Sequence, residues 1–421
     1  MGSKKKIAVI AYAMSPTRGS EYAQGWNYVC ELSKYYDVFA YVGSSDGHIG
    51  GLSEIRKCSD LLDAKIHYVE LKKSRLFINN LFVYLKFPWI FVLMLRSWNR
   101  EAVRLIKSHH EVEQFSQIHH LGPIGYKTPS DLTGLDIPSY WGPIGGFQFV
   151  NLRLAWVSSK KYFCSATLRN ILTWLIAKGP TLKKATSNFN KFSFATLQNA
   201  FNFQKNYSIT GPIISDQAAS ESNFIFLDQK TLDDVLEVIW CGSVDGRKNP
   251  KLFIDIATEA HSRKLPIKFT LIGSGPLLKS MINISKKRNL TNIIFTGRLE
   301  RKEVEAYMSK SDALVFTSLS EANTSTFFEG IEKLLIPICM DLDGFTSNIN
   351  PMIGFKIDVN QTYSNIILNY LDALVIILNS DERVEYMRNI SVARLNMTWS
   401  CLVRKHITQF VDDNENSIDF L

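Results

Sequence analysis

Short apolar runs alternate with amphipathic stretches along the first half of the chain, and this pattern predicts a β-sheet. The run KIAVIAYA (6–13) precedes a helical pattern, EYAQGWNYVCELSKY. Further apolar runs follow, each bounded by Gly, Pro or polar residues: DVFAYVG, KIHYVEL, FSQIHH and IPSYWG. Such boundaries are typical of strands. Because apolar strands separated by helices are buried on both faces, they favour a parallel sheet covered by helices.

The second half contains a new series of strand–helix units, which begins after a region (about 208–234) that lacks the pattern. Its predicted strands are LEVIWCG, IKFTLIG, NIIFTG, ALVFTSL and LIPICM. The fold class predicted is therefore α/β, with two doubly wound, Rossmann-like domains. We predict a first domain over 1–210, a linker over 211–234, a second domain over 235–398 and a closing helix over 399–421. In open sheets of this kind, ligands bind outside the carboxyl ends of the strands.

Length and composition agree with this organisation. A chain of 421 residues accommodates two cores, and 46% hydrophobic with 21% charged residues is typical of a soluble globular protein. The six cysteines lie far apart, without a Cys-x-x-Cys pair or zinc spacing. We therefore expect free thiols, no metal and a reducing, cytoplasmic compartment. The start, MGSKKKIAVIAYAM, has too short an apolar run for a signal peptide, so we interpret it as the first core strand.

The formal net charge of +8 is concentrated in two segments. Residues 71–110 contain eight Lys or Arg and one acid, Glu101, whereas residues 151–185 contain seven and no acid. Both include bulky apolar runs, LFVYLKFPWIFVLML (81–95) and LRNILTWLIA (168–177). Cations beside such side chains suit an anionic membrane face, where each contributes about 1 kcal/mol. The run 81–95 is too short to span a bilayer, so we expect it to lie on the surface.

The basic segments and the glycine-containing loops have other interpretations, namely a core helix, nucleic-acid binding and a nicotinamide site. An ordinary core helix with a solvated basic face is the alternative for both basic segments. Nucleic acid is not expected as a partner, because no nucleic-acid motif accompanies the charge. The loop after the first strand does not have the G-x-G-x-x-G pattern, which argues against a nicotinamide enzyme.

The segment DALVFTSLSEANTSTFFEGIEKLLIPICM (312–340) combines a predicted strand, a polar loop and a helix. Glu321 lies on the loop, and Glu329 lies on the second turn of the helix. The residues at the helix start supply capping side chains and N–H groups that suit a diphosphate: Asn323, Thr324 and Ser325. We predict that Glu321 contacts sugar hydroxyls and that Glu329 accepts hydrogen bonds from a ribose diol. Outside this setting, two solvated glutamates at this spacing would carry no functional meaning.

Three further loops follow predicted strands. The first, WCGSVDGRKNP (240–250), contains two glycines and two cations: Gly242, Gly246, Arg247 and Lys248. A lysine there neutralises the charge that develops on a leaving diphosphate, and a plain basic turn is the alternative. In LIGSGPL (271–277), Gly273 permits close approach of the backbone to a ligand. The loop FTGRLERKEV places three residues where they frame a planar base: Gly297, Arg298 and Leu299.

These motifs, in this order and spacing, resemble the second domain of glycosyltransferase family 4 over about residues 235–345. The closing TWSCLVRKHITQF also resembles the last helix of that family, which begins near a Trp, here Trp399, and crosses back to the first domain. The resemblance implies the GT-B fold, in which two doubly wound domains hold the substrates in a cleft. It also implies sugar transfer from a nucleoside diphosphate sugar of the UDP or GDP type, with retention of configuration and without metal or cofactor.

The resemblance also implies roles for individual residues. Lys248 would hold the diphosphate, Glu321 the donor sugar and Glu329 the ribose, while residues 297–299 would frame the base. Neither glutamate is expected to act as a nucleophile, since the leaving phosphate is usually described as taking the acceptor's proton. The family commonly has Arg after the first Gly of the phosphate loop, where this chain has Ser243. Either Arg247 supplies the missing cation or the site is weakened.

Two other departures from the family pattern concern Ala322, where a Gly is usual, and Leu334, where a Gly often precedes the hydrophobic-Pro pair. In the first half the resemblance is looser. Candidates near the diphosphate and acceptor come from SPTRGSEYAQGW (15–26) and from WGPIGGF (141–147): Gly19, Ser20, Glu21, Gly145 and Gly146.

The motif IHHLGPIG (118–125) ends a predicted strand with His119 and His120. The family often has a histidine at this place that contacts the donor sugar. We assign that role to His120, with a structural histidine pair as the alternative.

Together these features predict a retaining glycosyltransferase at the cytoplasmic face of the membrane, which extends a lipid-linked glycan such as an O-antigen or capsule unit. A nucleotide-sugar epimerase with the same fold is one alternative. A non-catalytic partner subunit, suggested by Ser243, is another.

Overall fold

The computed structural model describes residues 4–19, 21–46, 50–58, 60, 62–70, 88–230, 232–342 and 344–409. The chain divides into two compact units. The first comprises Met1–Phe147, Trp174–Asp216 and Trp399–Leu421, and the second comprises Gln148–Thr173 and Gln217–Thr398. Each contains a six-stranded parallel sheet flanked by helices, so the predicted pair of doubly wound α/β domains is confirmed.

The first sheet has the strand order β3-β2-β1-β4-β5-β6. Its strands are β1 (Lys6–Ile10), β2 (Asp37–Gly43), β3 (Ala64–Val69), β4 (Gln117–His120), β5 (Ser139–Ile144) and β6 (Lys191–Phe194). The second sheet has the order β12-β11-β10-β7-β8-β9. Its strands are β7 (Leu236–Cys241), β8 (Ile267–Ile272), β9 (Ile293–Gly297), β10 (Ala313–Phe316), β11 (Ile336–Met340) and β12 (Phe355–Ile357).

Helices connect the strands and cover both sheets. In chain order they are α1 (Glu21–Ser33), α2 (Leu52–Lys57), α3 (Pro88–Glu113), α4 (Leu152–Ser158), α5 (Lys160–Ala177), α6 (Pro180–Thr186), α7 (Leu197–Tyr207), α8 (Pro250–Ser262), α9 (Leu278–Lys287), α10 (Arg301–Lys310), α11 (Ser325–Glu332), α12 (Gly344–Asn348), α13 (Tyr363–Leu378), α14 (Ser380–Ala393) and α15 (Trp399–Ile407). No described helix has both the length and the apolar composition needed to cross a membrane.

In both sheets the direction of winding reverses beside the first strand of the unit. In the first unit β1 lies between β2 and β4, and in the second unit β7 lies between β8 and β10. The loops that leave the two strands at such a reversal diverge to opposite faces, which opens a crevice at the carboxyl edge of the sheet. The loops after β1 and β4, and after β7 and β10, are therefore the places where each unit can hold a ligand.

The segment 148–173 belongs to the second unit, although the sequence pattern predicts a first domain that extends to residue 210. Its apolar side chains join the second core: Val150, Leu154, Ala155 and Ala166. The side chain of Asn170 also accepts a hydrogen bond from the backbone N–H of Val150 and donates one to its carbonyl. Burial of this apolar face decides the boundary, and nothing in the local sequence pattern marks it. Residues 217–234, predicted as linker, also lie in the second unit.

Helix α15 lies in the first unit, far along the chain from the other residues of that unit. Its buried side chains recur at helical spacing and form one apolar face: Trp399, Leu402, Val403, His406 and Ile407. His406 Nδ1 lies 2.9 Å from the hydroxyl of Tyr140 on β5. This apolar stripe is what attaches the end of the chain to the first unit, and residues 410–421 lie outside the described part.

Helix α3 carries the described part of the basic segment 71–110. Its apolar residues are buried in the first core, among them Met94, Leu95, Trp98, Ala102 and Ile106. For this helix the core interpretation therefore holds. The remaining residues of the segment, 71–87, lie outside the described residues.

Candidate functional site

The loops after β7 and β10 meet in the second unit through a carboxylate and two cations. Glu321 Oε1 lies 2.7 Å from Nζ of Lys248 and 2.5 Å from Nη1 of Arg247. The Glu321 side chain is 12% exposed and that of Lys248 is 11% exposed, so this ion pair is largely shielded from water. Two cations around one carboxylate leave an excess positive charge at the edge of the sheet. Such an arrangement suits an anionic ligand with several oxygen atoms.

The backbone of the two loops is held together by a chain of hydrogen bonds. Trp240 donates through Nε1 to Oγ1 of Thr317 at 2.9 Å, and that hydroxyl donates to the carbonyl of Lys248 at 2.7 Å. The N–H of Leu319 donates to the carbonyl of Arg247 at 2.8 Å. Because each bond joins β7 or its loop to the loop after β10, the positions of the cations do not depend on the ion pair alone.

Glycine brings the β8 loop against the β7 loop. Gly273 has φ +141°, and a Cβ atom there would lie 1.8 Å from the carbonyl oxygen of Gly242. Its N–H donates to the carbonyl of Gly297 at 2.8 Å, which joins the β9 loop to the same edge. A side chain at position 273 would separate the loops, so this glycine is required by close approach.

Glu329 lies on the second turn of α11, as predicted, and it is half-buried. Burial raises the pKa of its carboxyl, with Arg301 acting in the opposite direction. Burial also raises the pKa of the Cys241 thiol, at the end of β7, to about 12, and the charge of Glu329 adds to this effect. Glu329 therefore lies near enough to interact electrostatically with Cys241, at the end of β7, and with Arg301, the first residue of α10.

The start of α11 differs from the prediction that its side chains cap the helix. Thr324 is the N-cap residue but makes no side-chain capping hydrogen bond. The side-chain oxygen of Asn323 instead accepts a hydrogen bond from Asn348 of α12 at 2.5 Å. The first N–H groups, beginning at Ser325, are therefore not occupied by the N-cap side chain. They suit an anionic group of a ligand.

The remaining predicted residues of this unit lie around the same edge. Ser243 is exposed, and Arg247 stands beside Lys248 at the shared carboxylate, so two cations are present without an Arg at position 243. Arg298 is exposed, whereas Leu299 packs against the core. Leu334, where the family often has Gly, adopts φ 60°, the left-handed conformation that glycine favours.

In the first unit, the predicted acceptor-side residues follow β1 and β5. Glu21 begins α1, and its carboxylate accepts a hydrogen bond from the hydroxyl of Tyr12. Burial raises the pKa of Glu21. Gly19 has open space around it, Gly145 pairs with Gly125, and Gly146 has φ +79°. Ser20 lies outside the described residues.

His119 and His120 end β4 and are both buried. As neighbours in a strand they point to opposite faces: His119 Nδ1 lies 2.9 Å from the hydroxyl of Tyr28, and His120 Nδ1 lies 2.9 Å from that of Ser130. Burial lowers the pKa of each imidazole to about 3, so both are neutral at physiological pH. His120 has no exposed surface, and its contact with a donor sugar stays a prediction.

Comparison with known proteins finds a family model that matches part of the second unit. The sequence model described as Glycosyl transferases group 1 matches residues 225–373, which include the loops after β7, β8, β9 and β10. This part of the second unit is therefore similar to the group 1 glycosyltransferases. The resemblance to family 4 is thereby confirmed, and the activity is glycosyl transfer. No curated protein sequence matches the chain significantly.

Solved structures of glycosyltransferases show the same fold along nearly the whole length of this chain. The lipopolysaccharide outer core galactosyltransferase WaaB has TM-score 0.63 at 13% identity, with 96% of this chain and 100% of that chain covered. A glycosyltransferase from Rickettsia africae has TM-score 0.61 at 13% identity, with 98% and 100% covered. HepE from Anabaena, in complex with UDP and glucose, has TM-score 0.57 at 10% identity, with 96% and 99% covered. These likenesses confirm the GT-B fold.

The sequence did not reveal the contribution of the segment 148–173 to the transferase domain. Gln148 donates through Nε2 to the carbonyl of Glu321 at 3.2 Å, and Ser158 donates through Oγ to the carbonyl of Gly246 at 2.7 Å. These partners are 173 and 88 residues apart in sequence. Both donors are ordinary polar residues near a helix, so no local signal distinguishes them.

Proposed function

We propose that the chain is a retaining, metal-independent glycosyltransferase that transfers a sugar from a nucleoside diphosphate sugar to a lipid-linked glycan at the cytoplasmic membrane face. The observation that carries the proposal is the position of Glu321 between Lys248 and Arg247, at the carboxyl ends of β7 and β10. The cations suit a diphosphate and the carboxylate suits sugar hydroxyls. A donor that contains both groups satisfies all three side chains.

Donor binding exchanges the partners of these side chains. The diphosphate forms ion pairs with Lys248 and Arg247. Glu321 then leaves the cations and accepts hydrogen bonds from the sugar hydroxyls. Glu329 accepts those of the ribose diol, and residues 297–299 frame the base. The complex of the structural relative HepE with UDP and glucose supports a donor of the UDP type, and GDP is the alternative.

The transfer step requires no protein nucleophile in this proposal. The bond between the anomeric carbon and the diphosphate oxygen breaks, and the acceptor oxygen bonds to the same face of that carbon. The acceptor proton passes to an oxygen atom of the leaving diphosphate. Because Lys248 and Arg247 face the charge that develops there, they stabilise the transition state without a metal ion.

The exposed surface of α5 is the reason for proposing a lipid-linked acceptor. This helix exposes four large apolar side chains at i, i+3, i+4 and i+7 spacing: Leu168 (58%), Ile171 (51%), Leu172 (44%) and Leu175 (51%). Seven Lys or Arg and no acid lie within 151–185. An exposed apolar face beside cations fits an anionic lipid surface. The structural relative WaaB, a lipopolysaccharide outer core galactosyltransferase, supports an acceptor of the same kind.

A panel of UDP- and GDP-sugars, incubated with membrane lipid extract, tests the transfer activity. We expect radiolabelled sugar from one donor to appear in the lipid fraction. No transfer from any common donor would contradict the proposal. Conversion of the donor to another nucleotide sugar without an acceptor would instead identify an epimerase.

Glu321→Gln is expected to separate nucleotide binding from transfer. The variant keeps the shape of the side chain but removes the charge that neutralises Lys248 and Arg247, so UDP alone should bind at least as tightly as it does to the wild type. Transfer should fall about 10- to 100-fold, because a hydrogen bond to a charged group contributes about 1.5–3 kcal/mol. Calorimetry with UDP and a transfer assay measure the two effects. If binding and turnover both stay unchanged, the assignment of Glu321 is wrong.

Ile171→Glu with Leu172→Glu is expected to weaken sedimentation with phosphatidylglycerol vesicles at least about tenfold. The double variant removes two apolar side chains, each of which stabilises a membrane-bound helix by about 1.5 kcal/mol or more. It also adds two negative charges, which the anionic lipid repels. Val392→Glu, at an exposed position of α14 (63%), is the control and should bind vesicles as the wild type does. Equal binding of all three proteins would exclude α5 as the membrane-binding surface.

A further inference from the structure

The segment 148–173 contacts both loops that carry the candidate donor site. Through Ser158 it holds the carbonyl of Gly246, next to the two cations, and through Gln148 it holds the carbonyl of Glu321. Gln148 is 2% exposed, so its contact is an interior one. All these residues lie in the second unit. The segment therefore lines the candidate site, and its other side chains are candidates for contact with the donor.

Tyr162, in the second half of the segment 148–173, packs directly against the loop after β7. A Cβ atom at Gly246 would lie 2.4 Å from Cβ of Tyr162 and 2.9 Å from its Cγ. Only a residue without a side chain at position 246 permits this contact. The aromatic ring is thus packed against the glycine that directly precedes Arg247.

The hydroxyl of Tyr162 is buried and has no hydrogen-bond partner among the described residues. The charged groups that act on it are those of the donor site and its surroundings: Arg169, Arg247, Asp245 and Glu321. Burial raises its pKa to about 12, so the group is protonated and can donate. A buried hydroxyl without a partner destabilises a protein, and phenylalanine would fill the same space without that cost. A role in packing alone therefore explains the ring but not the oxygen atom.

We propose that Tyr162 is a donor-binding residue, whose hydroxyl donates a hydrogen bond to the diphosphate when Arg247 leaves Glu321 for the same group. This inference rests on the proposed function, in which the site binds a nucleoside diphosphate sugar. It adds a neutral hydrogen-bond donor to the two cations, from a part of the chain that lies outside the region matched by the family model.

Tyr162→Phe tests the inference, because it removes only the oxygen atom. The free variant should melt about 2–4 °C above the wild type, since an unpartnered buried hydroxyl is gone. Its affinity for UDP or GDP, whichever the wild type binds, should fall about tenfold by calorimetry. The combination of higher stability and weaker binding is not expected from a merely structural residue. Tyr386→Phe, at a half-buried position on α14, is the matched control and should change neither quantity.

The possible outcomes separate this inference from the proposed function. If the wild type binds nucleotide and Tyr162→Phe binds it equally well, the inference is overturned and the proposed function stands. A lower melting temperature together with weaker binding also overturns it, because the hydroxyl would then stabilise the free protein. If the wild type binds neither UDP nor GDP, the proposed function fails and this inference fails with it.

Discussion

Lys248→Ala is expected to reduce kcat/KM for sugar transfer about 100- to 1,000-fold. Its Nζ lies 2.7 Å from Glu321 and is the less exposed of the two cations at this carboxylate. In the proposed reaction it faces the diphosphate as negative charge develops on the leaving group. Removing one preorganised donor from such a position typically costs two to three orders of magnitude in rate. Steady-state kinetics with the donor identified by the transfer panel measure this effect.

Lys251→Ala is the matched control for this experiment. Lys251 lies three residues farther along the chain, on α8, and pairs with Asp255 at 2.7 Å in an i,i+4 arrangement. Asp255 also pairs with Arg288 at 2.7 Å and accepts a hydrogen bond from the hydroxyl of Tyr363 at 2.7 Å, so it keeps two partners without Lys251 and we expect less than a twofold change in rate. A loss at Lys248 no larger than the loss at Lys251 would show that Lys248 does not contact the reacting diphosphate.

Gly273→Ala is expected to lower the free energy of unfolding of the second unit by about 3 kcal/mol and to abolish nucleotide binding. The added Cβ would overlap the carbonyl oxygen of Gly242 at 1.8 Å, and φ +141° is strained for any residue with a side chain. Strain and overpacking each cost about 1–3 kcal/mol. The β7 loop must move away to make room, and with it the cations of the site. Urea denaturation and calorimetry with UDP measure the two effects.

Gly297→Ala separates backbone strain from overlap. Gly297 has φ +73°, but a Cβ atom there would meet no atom within 4 Å. Only the cost of the left-handed conformation applies, which is about 1–2 kcal/mol. Equal destabilisation by the two substitutions would mean that close approach of the β7 and β8 loops is not what requires glycine at position 273.

The sequence predicted the fold, and it predicted that the main candidate residues lie at one edge of a sheet, because both depend on local patterns. Apolar runs separated by helical stretches determine two parallel sheets, since only burial on both faces satisfies such strands. Glu321, Lys248 and Gly273 follow predicted strands, and the carboxyl ends of parallel strands lie on one edge. Their common location therefore follows from the order of strands and loops alone. The position of Glu329 follows from helical periodicity.

Other features required the three-dimensional structure. The ion pair that joins Arg247 and Lys248 to Glu321 depends on the reversal of strand order between β7 and β10, which sequence periodicity does not encode. The burial of His119 and His120 depends on which side chains cover the end of β4, and a strand pattern does not determine that.

The assignment of residues 148–173 to the second unit was also decided by tertiary packing. Their contacts with Gly246 and Glu321 join residues 88 and 173 positions apart. The sequence by itself therefore determined the two sheets and the edge of the sheet at which the candidate loops lie, because both follow from local periodicity. Only the tertiary structure decided which distant side chains complete the site, because those contacts arise from packing between elements that no local pattern connects.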